Sequence, residues 1–443
     1  MNGTAVKSGD FLLVVRLANA DAIERVYGRT ARKAALDHVE QGVKRFLESF
    51  RTCRTGKDEV VLLGPRGLLT SGLVSRVVDS LCIRLSVKPL DFAGSRILLA
   101  VDAGYSLPAQ NPARKVGPDM EAQARQGLAR SSMKVLGHVP VGPQDCERYR
   151  EDMKSAADLL KVIGRGQGLF TWRPVQRAKS PGRILHYEAV LKLIDDQGGD
   201  IDARLGRVAL ERLGLSYLHD RQMICHVLDE LEADPNASLS LQISSTSLSL
   251  DLNGANVAWT DVFLRLRQQP GLARRLIIEI AEPTPDRILP AAKAFIEALR
   301  ATGVKIAIAG FGSDFSSIRQ MLTFQPDIIK LPGAFLRGNS ASGEHNIGLR
   351  HMVALARTLA DTVIVDGVES RKDMLLAHRE GAEWIVGCEL RGLPCEIRQD
   401  LCPAYVPYTK DSEILRFLHN ATGYYFSAPG ETLDVPLQQH YYG

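Results

Sequence analysis

Between residues 187 and 387 short apolar runs alternate with longer helical patterns, and this alternation restricts the architecture more than any other feature of the chain. Strands are expected at 187–194, 238–244, 275–281, 304–311, 326–331, 362–367 and 384–387. Helical periodicity fills 202–232, 257–268, 285–302, 314–324, 345–360 and 370–380, with Thr284-Pro285 and Ser370 placed as helix caps. Brief β-branched runs bounded by turn signals read as strands buried on both faces. Repeated β/α units of this kind close into a parallel barrel or stack as a doubly wound sheet. The central run is Val304-Lys305-Ile306-Ala307-Ile308-Ala309-Gly310-Phe311-Gly312. Barrel enzymes place their chemistry where such a strand ends. That point here carries Ala309 and Gly310, which can bind neither proton nor metal.

The first part of the chain has a different pattern. A strand at 11–17 precedes a helical pattern from 20 to 50, and a hairpin turning at Gly56-Lys57 leads into Val60-Val61-Leu62-Leu63. A helix at 71–87 and a strand at 97–101 complete an α+β unit. The Pro-, Gly-, Ala- and Arg-rich stretch 106–142 reads as loop plus a closing helix at 118–135, with the boundary near 145–155. The expected divisions are 1–150, 155–402 and a tail at 403–443. The tail carries Tyr405, Tyr408, Tyr424, Tyr425, Phe426, Tyr441 and Tyr442 and is expected to pack on its own barrel, with a surface for a partner as the alternative.

At 443 residues the chain is too long for one core, and 45% hydrophobic with 24% charged residues is the balance of a soluble globular protein. A formal net charge of +4 gives no indication of nucleic acid. No run suits a bilayer and no signal-peptide pattern follows Met1, so a cytoplasmic location is expected. The cysteines are scattered, and no histidine lies within 388–402 to complete a zinc set, so reduced, buried thiols are expected. Trp172, Trp259 and Trp384 are expected in the core or barrel seam, His345 and His351 on the surface, and Arg371-Lys372-Asp373 at a solvated helix start.

Tyr187-Glu188-Ala189-Val190-Leu191-Lys192 resembles the signature of EAL domains, the bacterial barrels that cut cyclic di-GMP. The resemblance continues in order through Leu241-Gln242-Ile243-Ser244, Glu279-Ile280-Ala281-Glu282, Ile308 to Gly312, Ile329-Lys330, Asp366-Gly367-Val368-Glu369 and Gly387 to Pro394. Gly56-Lys57-Asp58-Glu59-Val60, with Leu13 to Gly28 before it, resembles the GGDEF cyclase domain that commonly precedes an EAL domain. The fold implied is α/β: an N-terminal α+β cyclase-like domain followed by a TIM-like (β/α) barrel.

The resemblance also says what such a barrel needs. Metal-assisted phosphodiester hydrolysis uses two divalent ions held by hard oxygen ligands. Of the family's metal ligands Glu188 and Glu279 remain, Gln242 replaces an Asn, and Ala309 and Gly310 replace two Asp residues, one of which bridges the metals. Lys330, Glu369 and Glu282 are kept, while Asp366 replaces a Glu; Asp314 is the carboxylate nearest the lost pair. The family's dinucleotide contacts fall on Lys192, which keeps the charge of an Arg, on Arg173, which replaces a Gln, and on Val386, which replaces another; Lys192 and Arg173 are the candidate contacts to cyclic di-GMP. In the cyclase-like half Arg16 stands at a metal position, Glu24 and Arg25 at guanine positions, and Leu47 and Phe50 at the inhibitory site. Asp58 and Glu59 are expected in an exposed turn.

These replacements imply a catalytically inactive GGDEF–EAL regulatory protein. It would act by binding a protein partner, with cyclic di-GMP a candidate ligand, in processes such as motility, attachment or polarity. On this reading Lys330, Asp366 and Glu369 are vestigial catalytic groups and Glu188, Gln242 and Glu279 vestigial metal ligands. No cofactor is expected; magnesium or manganese enters only with residual activity. The alternatives are a weak phosphodiesterase using Glu188, Gln242, Glu279, Lys330 and Asp366 with one metal, and a cyclic di-GMP receptor. A homodimer is left open.

Overall fold

The structure is a computed structural model, and it describes residues 10–47, 50–65, 71–106, 118–130, 139–165, 168–194, 199–249, 259–281, 289–313, 318–337 and 346–387. The Thr284-Pro285 cap, Glu282, Asp314, His345, Cys388, Cys395, Cys402 and the 403–443 tail lie outside the described residues.

The N-terminal unit comprises β1 (Asp10–Leu17), α1 (Ala20–Tyr27), α2 (Arg29–Phe46), β2 (Arg51–Thr55), β3 (Glu59–Pro65), α3 (Ser71–Val87), β4 (Leu90–Phe92), β5 (Ser95–Ile97), β6 (Val101–Ser106) and α4 (Pro118–Arg130). Its antiparallel sheet has the order β2-β3-β1-β6. Alternation along β1 decides what each face meets. Leu13, Val15 and Leu17 join the core beneath α1, α2 and α3, while Leu12 and Val14 join a smaller cluster with Met120, Ala124 and Leu128 of α4. Each fully buried aliphatic side chain of this kind contributes roughly 1.5–3 kcal/mol.

The expected helix over 20–50 is two helices, because the chain turns at Gly28 with φ of +91°. The expected strand at 97–101 lies further on, at β6. Its buried segment is held by a side chain instead: Asn19 donates to the Leu98 carbonyl and accepts from the Ala100 amide. The closing helix appears as α4. The placed boundary near 145–155 falls inside a continuous helix, α5 (Pro143–Gly164). Tyr149, Met153, Ala156 and Leu160 of α5 share one apolar cluster with Ala22, Val26, Leu98 and Ala100 of the first unit and with the barrel helices. The Arg96–Asp158 ion pair and a bond from Arg150 to the Val26 carbonyl add polar ties between α5 and the first unit.

The remainder runs β7 (Gly168–Arg177), β8 (Ser180–Ile194), β9 (Asp200–Ile201), α6 (Ala203–Arg212), α7 (Ser216–Ala233), β10 (Leu239–Ile243), α8 (Thr260–Gln268), α9 (Pro270–Ala273), β11 (Leu276–Ala281), α10 (Leu289–Arg300), β12 (Lys305–Ala309), α11 (Ile318–Phe324), β13 (Ile328–Leu331), α12 (Ala334–Arg337), α13 (Ile347–Arg357), β14 (Thr362–Val365), α14 (Arg371–Arg379) and β15 (Trp384–Ile385). The nine strands take the order β10-β11-β12-β13-β14-β15-β7-β8-β9, and a further pairing of β10 with β8 closes the ring. β9 hangs outside on β8, so eight strands form the barrel, with β7 antiparallel to both neighbours.

The expected alternation of strands and helices is present, with β7 added and the 202–232 helix divided into α6 and α7 at Gly214. Ser370 caps α14 as expected, accepting from the Asp373 amide. Trp172 and Trp259 are buried in the main core, Trp384 packs against the barrel interior, and His351 is exposed. No helix among the described residues is long and apolar enough to cross a membrane.

Period-two alternation separates the barrel's inside from its outside. Leu276, Ile278 and Ile280 of β11, Ile306 and Ile308 of β12, and Ile329 and Leu331 of β13 pack outward under the helices. The residues between them point inward, and Val175, Ile277, Ala307, Ile328, Ile364 and Val386 fill the bore as one apolar layer. Val386, at the family's guanine-reading position, is therefore part of the barrel floor.

Candidate functional site

The functional layer is reached by moving two residues along each strand from that floor: Arg173 from Val175, Glu279 from Ile277, Ala309 from Ala307, Lys330 from Ile328 and Asp366 from Ile364. Glu188 joins them because β8 pairs Glu188 with Arg173 on one side and with Ser240 on the other. Glu188, Glu279 and Lys330 are buried.

Their contacts form a closed set. The Lys330 ammonium donates to Glu188 Oε1 at 2.5 Å and to Glu279 Oε2 at 2.7 Å. Arg173 donates to Glu188 Oε2 at 2.6 Å, and Ser240 Oγ to Glu279 Oε1 at 2.5 Å. All four carboxylate oxygens therefore accept from a group of the chain, and two cations balance two anions. Asp366 lies at the edge, its Oδ2 3.8 Å from Lys330 Nζ, with its other oxygen accepting from the Gly367 amide at 2.6 Å. Burial alone would lower the lysine pKa, but the nearby Glu279, Glu188 and Asp366 outweigh it and hold the ammonium above its ordinary range.

The other expected site residues stand apart. Lys192 is exposed. Glu369 is also exposed, with Arg337 as its distant partner at 4.0 Å. Gln242 pairs in register with Glu279 but opens into a neighbouring cleft of about 220 Å³, shared with Arg204, Arg207, Glu211, Ser216 and His219. Two residues of the central cluster were missed by sequence reasoning: Ser240 and His186. Both were accessible through strand period alone, since His186 lies two residues before Glu188 and Ser240 two before Gln242, on the inward face.

His186 is buried, and both of its ring nitrogens lack a hydrogen-bond partner. Burial, with help from Lys330 and Lys305 and against the pull of Glu188, lowers its pKa to about 4, so the imidazole is neutral near pH 7. A ring nitrogen of His186 and one oxygen each of Glu188 and Glu279 lie within 4.8 Å of one another.

The described residues do not fit a pair of magnesium or manganese ions. Such ions require several oxygen ligands each. Glu188 and Glu279 are already neutralised from within, and β12 ends at Ala309 and Gly310, which offer no side-chain oxygen.

The N-terminal unit has a counterpart. Arg16 at the end of β1 does more than exclude a metal. It pairs with the fully buried Asp102 on β6, through Nη2 at 2.5 Å and Nε at 3.1 Å. Glu59 is not a free turn residue: Arg125 of α4 donates to it at 2.6 Å. Glu24 pairs with Arg32, whose Nε also donates to the Lys57 carbonyl. Leu47 and Phe50 are buried in the core.

These observations define a β/α barrel of the EAL type behind an α+β unit. The EAL domain profile matches residues 156–390, and the chain belongs to the EAL domain family. An uncharacterised protein of Sinorhizobium fredii is 25% identical over 377 residues, covering 84% of this chain and 44% of the relative. The bifunctional diguanylate cyclase/cyclic di-GMP phosphodiesterase MucR of Pseudomonas aeruginosa is 27% identical over 256 residues, covering 56% of this chain and 36% of the relative. The chain thus spans less than half the length of either. Among solved structures, the S helix–GGDEF–EAL portion of Vibrio cholerae LapD bound to c-di-GMP is 17% identical with a TM-score of 0.46, covering 86% of this chain and 89% of that one.

Proposed function

We propose that this chain is a catalytically inactive EAL-domain protein of cyclic di-GMP signalling that acts by binding, with a protein partner as its output. The observation that carries the reading is the Lys330 ammonium seated between Glu188 and Glu279, with Arg173 and Ser240 filling their remaining oxygens. The carboxylates that would hold hard ions hold the protein's own cations. On this reading Lys330, Asp366 and Glu369 retain no catalytic role, and Glu188, Gln242 and Glu279 retain no role toward magnesium or manganese. MucR, whose name includes cyclic di-GMP phosphodiesterase, and LapD, solved bound to c-di-GMP, give the signalling context.

The deciding experiment is hydrolysis of cyclic di-GMP by the full chain with magnesium or manganese. No turnover is expected; turnover abolished by Glu188→Ala would make the protein a phosphodiesterase and end this reading. Calorimetry with cyclic di-GMP separates a receptor from a purely protein-binding module. Binding weakened by Lys192→Ala adds the dinucleotide as an input, and no heat at high ligand removes it.

A further inference from the structure

We infer that the first turn of α7 couples the N-terminal unit to the rim of the barrel, so that each biases how firmly the other is ordered. Every residue from Ser216 to Gln222 is buried. Seven consecutive positions run all the way round a helix, so this end of α7 is packed from more than one side.

Tyr217 is the contact with the N-terminal unit. Its phenol is buried against Ser86 of α3, with Cys82 and Asp102 nearby. Ser86 in turn accepts from the Val101 amide at 3.1 Å, next to the Asp102 that pairs with Arg16. His219 lies two residues on, about 200° round the helix, and lines the cleft beside Gln242. Its Nδ1 is 3.0 Å from Asp220 Oδ1, and Asp220 Oδ2 accepts from the Ser244 amide at 2.8 Å and from Ser247 Oγ at 2.6 Å. Those bonds fix the loop that leaves β10 directly after Gln242 and Ile243.

The turn is poorly held by its own sequence. Leu215 stands at the N-cap of α7, and no side chain caps the first amides. A helix start of this kind opens locally unless tertiary contacts hold it. Here the contacts come from two places, the Ser86 side of α3 and the loop from Ser244 to Ser247. Ordered and opened forms of the turn are the two states. A group that steadies the ordered form from one side lowers the cost of ordering on the other, and the effect is reciprocal. The N-terminal unit thereby props the cleft, and whatever fills the cleft steadies α3 and the start of β6.

Amide hydrogen exchange of the full chain, read by mass spectrometry, tests the coupling in both directions. Tyr217→Ala is expected to speed exchange from Ser244 to Leu248 by about 10-fold, the scale of a lost helix cap, with β11, β12 and β13 unchanged. Tyr217→Phe keeps the ring and loses only the hydroxyl. It is expected to give the same pattern at smaller amplitude, and it carries the test if the alanine variant does not fold. In the reverse direction Asp220→Asn is expected to speed exchange from Cys82 to Val87 and at Val101 and Asp102. Unchanged exchange from Ser244 to Leu248 in every Tyr217 variant that folds overturns the coupling. A rise shared equally by β11, β12 and β13 overturns it too, since general destabilisation would then suffice, and so does an Asp220→Asn effect that stops within α7.

Discussion

The two halves of the molecule have each placed a cation of their own chain among acidic side chains, but at different depths. In the N-terminal unit Arg16 is partly exposed and bonds to one carboxylate, Asp102, with Glu59 and Asp58 also near it. In the barrel the lysine and both carboxylates are buried. Both cations are pushed towards their charged forms by the acids around them, and in the shallower pair burial raises Asp102 to a pKa of about 6 even though Arg16 bonds to it. A single partly solvated guanidinium does not fully offset the burial of an acid. An ammonium shared by two acids, each with a second donor, remains charged at depth.

The largest effect should come from breaking the deeper set. Lys330→Met leaves two buried carboxylates facing each other and is expected to cost about 3–5 kcal/mol in urea unfolding. A loss below about 1 kcal/mol would mean that the ammonium is not the group holding the layer together. Next comes acid sensitivity. His186 has a folded pKa of about 4 against 6.5 unfolded, so its contribution is complete above 6.5 and is lost as pH falls towards 4. His186→Leu should remove up to about 3 kcal/mol of that decline.

The shallower pair should respond with the opposite slope. Asp102 binds its proton more tightly when folded, so stability falls as pH rises from 3.8 through 6, and Asp102→Asn should flatten that segment. At pH 8 Arg16→Met is expected to cost about 2 kcal/mol, less than the lysine change because Asp102 can take up a proton instead. The smallest effect belongs to Arg125→Ala, which removes a half-solvated partner of Glu59 and should cost at most about 1 kcal/mol. If the Arg16 and Lys330 variants proved equally damaging, depth would not be what separates the two halves.

Much of the barrel could be read from its short apolar runs bounded by turn signals, such as Leu276-Ile277-Ile278, which mark strands buried on both faces. β7 was missed because Arg173, Pro174 and Gln176 interrupt its apolar pattern, and its inclusion depends on pairing with β8 and β15. Resemblance located Glu188, Glu279 and Lys330, yet it could not say that they touch. Lys330 is 142 residues from Glu188 and 51 from Glu279, and their contact depends on barrel closure. Ser240 and His186 belong to no quoted motif, so only their inward-facing register could have revealed them.

Helix α5 constrains how this chain can be rearranged. Its Tyr149, Met153 and Leu160 belong to a cluster that includes both Ala22 and Val26 of the first unit and Ala209 and Leu210 of the barrel helices. A recombination that exchanged the front half at residue 150 would sever the helix and part a surface both halves need. Exchange of front halves is open only to sequences that also supply a matching α5, so the two units are bound to descend together.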